Sequence, residues 1–170
     1  LSKSEDIMPD KETVERARRD KRQGKAASTQ AGEFVREEMH HVREGKHGAR
    51  STKQAIAIGL SKARRSGVNL PAPKPGQASA QTRSSAKSAL RRRGKKTSVK
   101  RSRAVRSALK REGHSAASHT ALARQARTAS RKRTATSRSA AARKAARTKG
   151  ARGRSMAAQK AARTRARTSA

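Results

Sequence analysis

From residue 71 to the C-terminus the chain carries 30 Lys and Arg side chains and a single carboxylate side chain, Glu112. The same stretch supplies six bulky apolar residues: Leu90, Val99, Val105, Leu109, Leu122 and Met156. Across all 170 residues 46 basic residues face 11 acidic ones, the formal net charge is +35, and Phe34 is the sole aromatic. Low hydrophobicity combined with high charge leaves too little burial to offset conformational entropy. The composition therefore excludes one compact domain of this length, and an enzyme with a deep, preorganised pocket.

The longest apolar run, residues 55–60, falls far short of the ~20 residues a membrane helix needs. No charged, apolar and small-residue succession of a secretory signal opens the sequence. Without cysteine there is no disulfide, thiol chemistry or zinc finger, and a reducing compartment fits. Met8 reads as the natural start, with residues 1–8 a start region or upstream extension.

Ten of the 11 acids precede residue 45, so residues 1–70 carry 16 basic and 10 acidic side chains. Thirteen of the 19 Val, Ile, Leu, Met and Phe residues lie there too. Residues 71–76, Pro-Ala-Pro-Lys-Pro-Gly, read as an extended linker. The expected organisation is a small helical head over 9–70, this linker, and a low-complexity tail over 77–170.

The head reads as a helical hairpin or three helices. The first follows Pro9, has acids early and arginines late, and stops at Gly24; with only Val14 and Ala17 apolar, it is expected to fray or depend on a partner. In the second, Ala31, Val35, Met39 and Val42 recur on one face beside Phe34, Ser28 or Thr29 serves as cap, and Gly45 ends it. The third starts at Ser51 or Thr52 and runs to Arg65 or Ser66. Ile56, Leu60 and Ala63 form its stripe, Gly59 permits close helix contact, and Val68 folds back. So small a core makes a homodimer through the head plausible.

Ala, Ser, Thr, Lys and Arg fill 79 of the last 100 residues. Residues 139–149 match residues 155–165 at 8 of 11 positions, and residues 88–94 echo 107–113 more loosely. Each unit opens on a capping-type residue and closes near glycine. Alanine favours helix, whereas like charges such as Arg143 and Arg147 oppose it. The tail is expected to be disordered alone and conditionally helical on a polyanion.

A phosphate backbone is the partner such a tail selects, because neutralised phosphates release condensed counterions. Arg exceeds Lys by 20 to 10 in the tail, which suits forked phosphate contacts and narrow grooves. The tail has no aromatic on which to stack unpaired bases, so duplex DNA or a folded RNA is favoured over a single strand. Its sparse apolar residues do not suit a membrane surface. The expected contacts are Arg91, Arg92, Arg93, Lys95, Lys96, Lys100, Arg101, Arg103, Arg106, Lys110 and Arg111, then Arg124, Arg127, Arg131, Lys132 and Arg133. Arg143, Lys144, Arg147, Lys149, Arg152, Arg154, Lys160, Arg163, Arg165 and Arg167 complete the set. In the head, Arg50 and Lys53 could face a groove while Lys62, Arg64 and Arg65 hold the backbone; the simpler reading of these is a solvated helix face.

Among the histidines, His40, His41 and His47 stand near Glu37, Glu38 and Glu44, but adjacent histidines point apart and at most two converge. They read as exposed residues at a helix end, with no metal site and no cofactor. The serines lack a nucleophile–base–orienter set, and no phosphate-cradling glycine loop is present. The chain does not read as an enzyme.

Residues 33–67, Glu-Phe-Val-Arg-Glu-Glu-Met-His-His-Val-Arg-Glu-Gly-Lys-His-Gly-Ala-Arg-Ser-Thr-Lys-Gln-Ala-Ile-Ala-Ile-Gly-Leu-Ser-Lys-Ala-Arg-Arg-Ser-Gly, resemble a small bacterial domain of unknown function found in Lys/Arg-rich proteins. Residues 46–67 are the most specific part. The resemblance implies a bacterial cytoplasmic protein and brings no site residues. The tail is similar in style to the DNA-condensing tails of linker histones and bacterial histone-H1-like proteins, although it is richer in Arg, Ser and Thr and nearly free of Pro. The expected function is non-sequence-specific binding and compaction of duplex DNA in the nucleoid. The alternatives are an RNA- or ribosome-associated protein, or a plasmid- or stress-related module whose head binds another protein.

Overall fold

The computed structural model describes residues 8–95 and 98–168, with the side chains of residues 148, 149 and 168 outside that description. Helices follow one another along the chain: α1 (Lys11–Arg22), α2 (Ala27–Arg43), α3 (Thr52–Arg65), α4 (Ala80–Arg91), α5 (Val99–Lys110), a 3-10 turn (Ser115–Ala117), α6 (His119–Arg131) and α7 (Ala135–Thr168). No strand occurs among the described residues. The chain divides into two compact units, one through Gln125 and one from Ala126 onwards.

The α2–α3 pair is the scaffold of the first unit. Ser51 caps α3 by accepting from the Gln54 amide at 3.2 Å, while the Gln54 side chain accepts from the Arg50 amide at 2.8 Å. The C-terminal ends of both helices are set by glycines in the left-handed region. Gly45 has φ 74°, and the next amide, of Lys46, returns to the His41 carbonyl at 3.0 Å. Gly67 has φ 101° and lets Val68 donate back to the Ala63 carbonyl at 3.0 Å, burying the Val68 side chain. α2 starts at Ala27, with Ala26 as its N-cap residue, earlier than a Ser28 or Thr29 cap would place it.

The expected core is largely the observed one. Phe34, Met39, Val42 and Val68 are buried, and Val35, Ile56 and Leu60 pack against them partly exposed. The remaining buried apolar residues are alanines: Ala17, Ala31, Ala49, Ala55, Ala63, Ala86, Ala89, Ala116 and Ala117. Small side chains hold a core only if backbones come close. At Gly59 a Cβ would sit 2.7 Å from Val35 Cα and 2.9 Å from the Phe34 carbonyl oxygen, so α3 lies directly against α2.

Two expectations are corrected here. α1 does not fray away: Thr13, Ala17 and Asp20 are buried, and Arg16 bonds Glu33 of α2 at 2.8 Å. Polar contacts, with the Asp10 amide on Glu37 Oε2 at 3.2 Å, substitute for the missing apolar stripe.

The second correction concerns the tail. It is not a disordered segment beyond a linker; α4 to α7 are helices, and residues up to Gln125 share a unit with the head. The Gly94 amide donates to the Arg65 carbonyl, the Gly48 amide to Leu109, and the Ala49 amide to Gly113. Thr52 Oγ1 donates to the Ala116 carbonyl at 2.6 Å, and Arg43 Nε to that of Ala117 at 2.8 Å. These contacts use backbone groups and alanines, so they need few bulky apolar residues. In the second unit α7 is broken at Gly150 (φ 64°, ψ 175°), between the two copies of the 139–149 and 155–165 repeat.

Gly59→Ala is expected to destabilise the folded chain by about 1–3 kcal/mol through overpacking against α2, measured by urea unfolding. Gly48→Ala is expected to cost at least as much, because its Cβ would fall 1.8 Å from the Glu112 carbonyl oxygen.

Candidate functional site

Most of the sequence-predicted contacts are exposed on helices. Arg91, Arg92, Arg93 and Lys95 stand at and just after the end of α4, and Lys100, Arg101, Arg103, Lys110 and Arg111 on or after α5. Arg124, Arg127 and Arg131 are exposed on α6, with Lys132 and Arg133 after it. Arg143, Lys144, Arg147, Arg152, Arg154, Lys160, Arg163, Arg165 and Arg167 are exposed along α7. Lys96 and the Lys149 side chain lie outside the described residues.

The first unit brings part of this set together. A cleft of about 880 Å³ runs between α3, α4 and α5. Arg65, Arg92, Lys95, Arg101 and Arg106 line it together with the hydroxyls of Ser61, Ser84, Ser85, Ser88, Ser98 and Ser102. Burial, and then the neighbouring Arg92, lower the pKa of Arg65 from the ordinary guanidinium value. Cations crowded in this way favour an anion among them, and guanidinium with hydroxyl is phosphate-binding chemistry.

Of the head contacts expected from sequence, Arg50 and Lys53 are exposed and Arg65 lines the cleft. Lys62 and Arg64 are buried, at 2% and 6% exposure, and cannot hold a nucleic-acid backbone as folded. Arg64 is used internally, donating to the carbonyls of Leu70, Pro71 and Leu60, and burial lowers its pKa. Lys62 points inward to two carboxylates of α2, 2.8 Å from Glu38 Oε2 and 3.4 Å from Glu37 Oε1.

This ammonium belongs to a buried polar cluster. The reading of His41 and His47 as exposed is corrected: they are 4% and 6% exposed, whereas His40 is on the surface. The turn at Gly45 sends the chain back along α2 and the backbone contacts of Gly48 and Ala49 lock it there, carrying His47 inward. His47 Nε2 lies 3.3 Å from Glu38 Oε1, and its Nδ1 lies 3.0 Å from the Gly48 carbonyl oxygen. His41 Nε2 is 3.5 Å from Asp10 Oδ2, and the two rings meet edge to face at 6.1 Å. Burial first, then Lys62 and Lys46, lower the pKa of His41 and favour the neutral imidazole. Both Glu38 oxygens and His41 Nδ1 are buried without a well-formed hydrogen bond.

The sequence reading missed this cluster. A usable signal was present: Glu37, Glu38 and His41 share α2 with Phe34 and Val42 at helical spacing, so part of the acidic face turns inward.

A family model described as a family of unknown function (DUF6496) matches residues 22–74, about a third of the chain. The match spans α2, α3 and their connection, and contains Glu37, Glu38, His41, His47 and Lys62. No curated protein and no solved structure matches the chain. Among the described residues, no helix is long and apolar enough to cross a membrane.

Lys62→Met removes the one ammonium facing two buried carboxylates. Loss of one partner of a buried pair costs about 3–5 kcal/mol, so a large drop in the urea midpoint is expected. Adding Glu38→Gln is expected to recover part of that loss, a non-additivity that a double-mutant cycle measures.

Proposed function

We propose that the protein binds duplex DNA through phosphate contacts, with little sequence preference, and bridges or compacts it in the bacterial nucleoid. The observation that carries this reading is the charge imbalance beyond the head: 30 cations share one carboxylate side chain, and nearly all those described are exposed, most of them on helices. One carboxylate cannot neutralise so many cations, and the polyanion with the densest regular charge is a nucleic-acid duplex.

Geometry supports duplex over single strand. Cationic side chains on helices give spaced, rigid contacts, and residues 71–170 offer no aromatic platform for unpaired bases. The cleft between α3, α4 and α5 supplies a local phosphate site, while α6 and α7 supply extended basic surface. Two regions that each engage phosphate give one chain the means to hold two duplex segments. Of the head contacts expected from sequence, Arg50, Lys53 and Arg65 are the ones available, and homodimerisation through the head would add a further bridge.

The test is a titration of full-length protein against matched duplex DNA and structured RNA across about 50–300 mM salt. Six to ten phosphate contacts predict a loss of about 10³–10⁵ in DNA affinity between 50 and 200 mM. Replacing Arg65, Arg92, Arg101 and Arg106 together by Gln is expected to lower the salt slope by about 0.9 for each phosphate that is no longer neutralised. A shallow slope with both polymers overturns the reading. An RNA preference that persists at high salt replaces DNA by a ribosomal or other RNA partner.

A further inference from the structure

We propose that Glu38, His41 and His47 form a site for one divalent transition-metal cation, zinc in the first instance, which staples the α2–α3 connection to α2. This goes beyond the nucleic-acid reading and is independent of it.

Each of the three residues offers one ligand atom, and these atoms lie within 4.8 Å of one another. All three residues are buried, Glu38 completely. Two imidazoles and a carboxylate are a recurrent zinc donor set.

The geometry around His47 places both ring nitrogens against oxygens: Nδ1 lies 3.0 Å from the Gly48 carbonyl oxygen, and Nε2 lies 3.3 Å from Glu38 Oε1. Zinc ligands at ~2.0–2.2 Å in a tetrahedron are separated by about 3.3–3.6 Å, and the His47 Nε2–Glu38 Oε1 pair stands at 3.3 Å. Glu38 Oε1 is itself buried with no well-formed hydrogen bond.

His41 repeats the pattern. Its Nε2 is directed to the Asp10 carboxylate at 3.5 Å, leaving Nδ1 buried and without a hydrogen-bond partner. A carboxylate or carbonyl behind each imidazole is the outer shell that orients metal-bound histidines.

Lys62 does not block the site, because it engages the other oxygen, Oε2, of Glu38 at 2.8 Å. The carboxylate thus faces the ammonium on one side and the imidazoles on the other. Asp10 and Glu37 add carboxylates around the imidazoles, while Lys62 and Lys46 are the cations that face them. Glu38, His47 and Lys62 also border the 880 Å³ cleft. Zinc here would link α2 to the chain that follows it, the kind of staple a small core needs.

The experiment uses untagged full-length protein stripped with a chelator and then titrated with zinc by calorimetry against a competing chelator. One tight site per chain is expected, with a micromolar or lower Kd. Cobalt at the same stoichiometry should develop the visible bands of a four-coordinate ion. Zinc should shift the ring-nitrogen resonances of His41 and His47 and leave those of His40, His114 and His119 in place, a readout that needs no variant. His47→Ala and Glu38→Gln are expected to weaken binding at least tenfold, and His40→Ala not at all. Absence of stoichiometric binding, or resonance shifts confined to the other histidines, overturns the proposal.

Discussion

The first unit is organised around the buried ammonium of Lys62. Its charge on α3 answers Glu37 and Glu38 on α2, and the two helices that carry these groups also meet backbone to backbone at Gly59. An ion pair is a poor source of net stability once desolvation is counted, but it is a demanding source of register. Sliding α3 along α2 would strand two carboxylates, and Gly59 would no longer meet the backbone of Val35. Polar register and close approach therefore specify one packing where a large apolar core is absent.

Alanine extends the same logic outwards. Ala86 and Ala89 of α4, and Ala116 and Ala117 of the 3-10 turn, are buried although none contributes much apolar area. Burial is worth roughly 25 cal/mol per Å², so each methyl adds little. What these small residues permit is the approach of backbone donors and acceptors, as at Gly94 to Arg65 and Ala49 to Gly113. A segment can thus be held to the head through its backbone, and Arg92, Arg101 and Arg106 line the cleft.

The divided outcome of sequence reading follows from this physics. Helix ends were legible at Ser51, Gly45 and Gly67 because capping depends on one residue type at one position. Phe34, Met39 and Val42 were legible from periodicity, Val68 from its fold-back after the Gly67 stop, and Gly59 from its place on the α3 stripe. The docking of α4 and α5 was not, since backbone hydrogen bonds and alanine contacts leave no compositional trace. The inward turn of Glu38, His41 and His47 was hidden for another reason. Charged residues are seldom buried unless paired, and the partner, Lys62, lies 24 residues beyond Glu38 on another helix, in a basic run with Arg64 and Arg65.

Charge segregation then acquires a physical role. Ten of the 11 acids lie in the first 44 residues, and several are engaged internally: Glu33 with Arg16, Asp20 with Lys25, Glu37 and Glu38 with Lys62. Acids placed along α4 to α7 would have paired with the arginines there and reduced the phosphate contacts open to a duplex. Confined to the head, they instead build its interior, where α1 docks by ion pairs and the histidines find their carboxylates. The two proposals rest on opposite sides of that division. Phosphate binding requires cations in excess of the acids around them, and the metal site requires a carboxylate held beside its imidazoles. A chain that mixed its charges evenly would support neither.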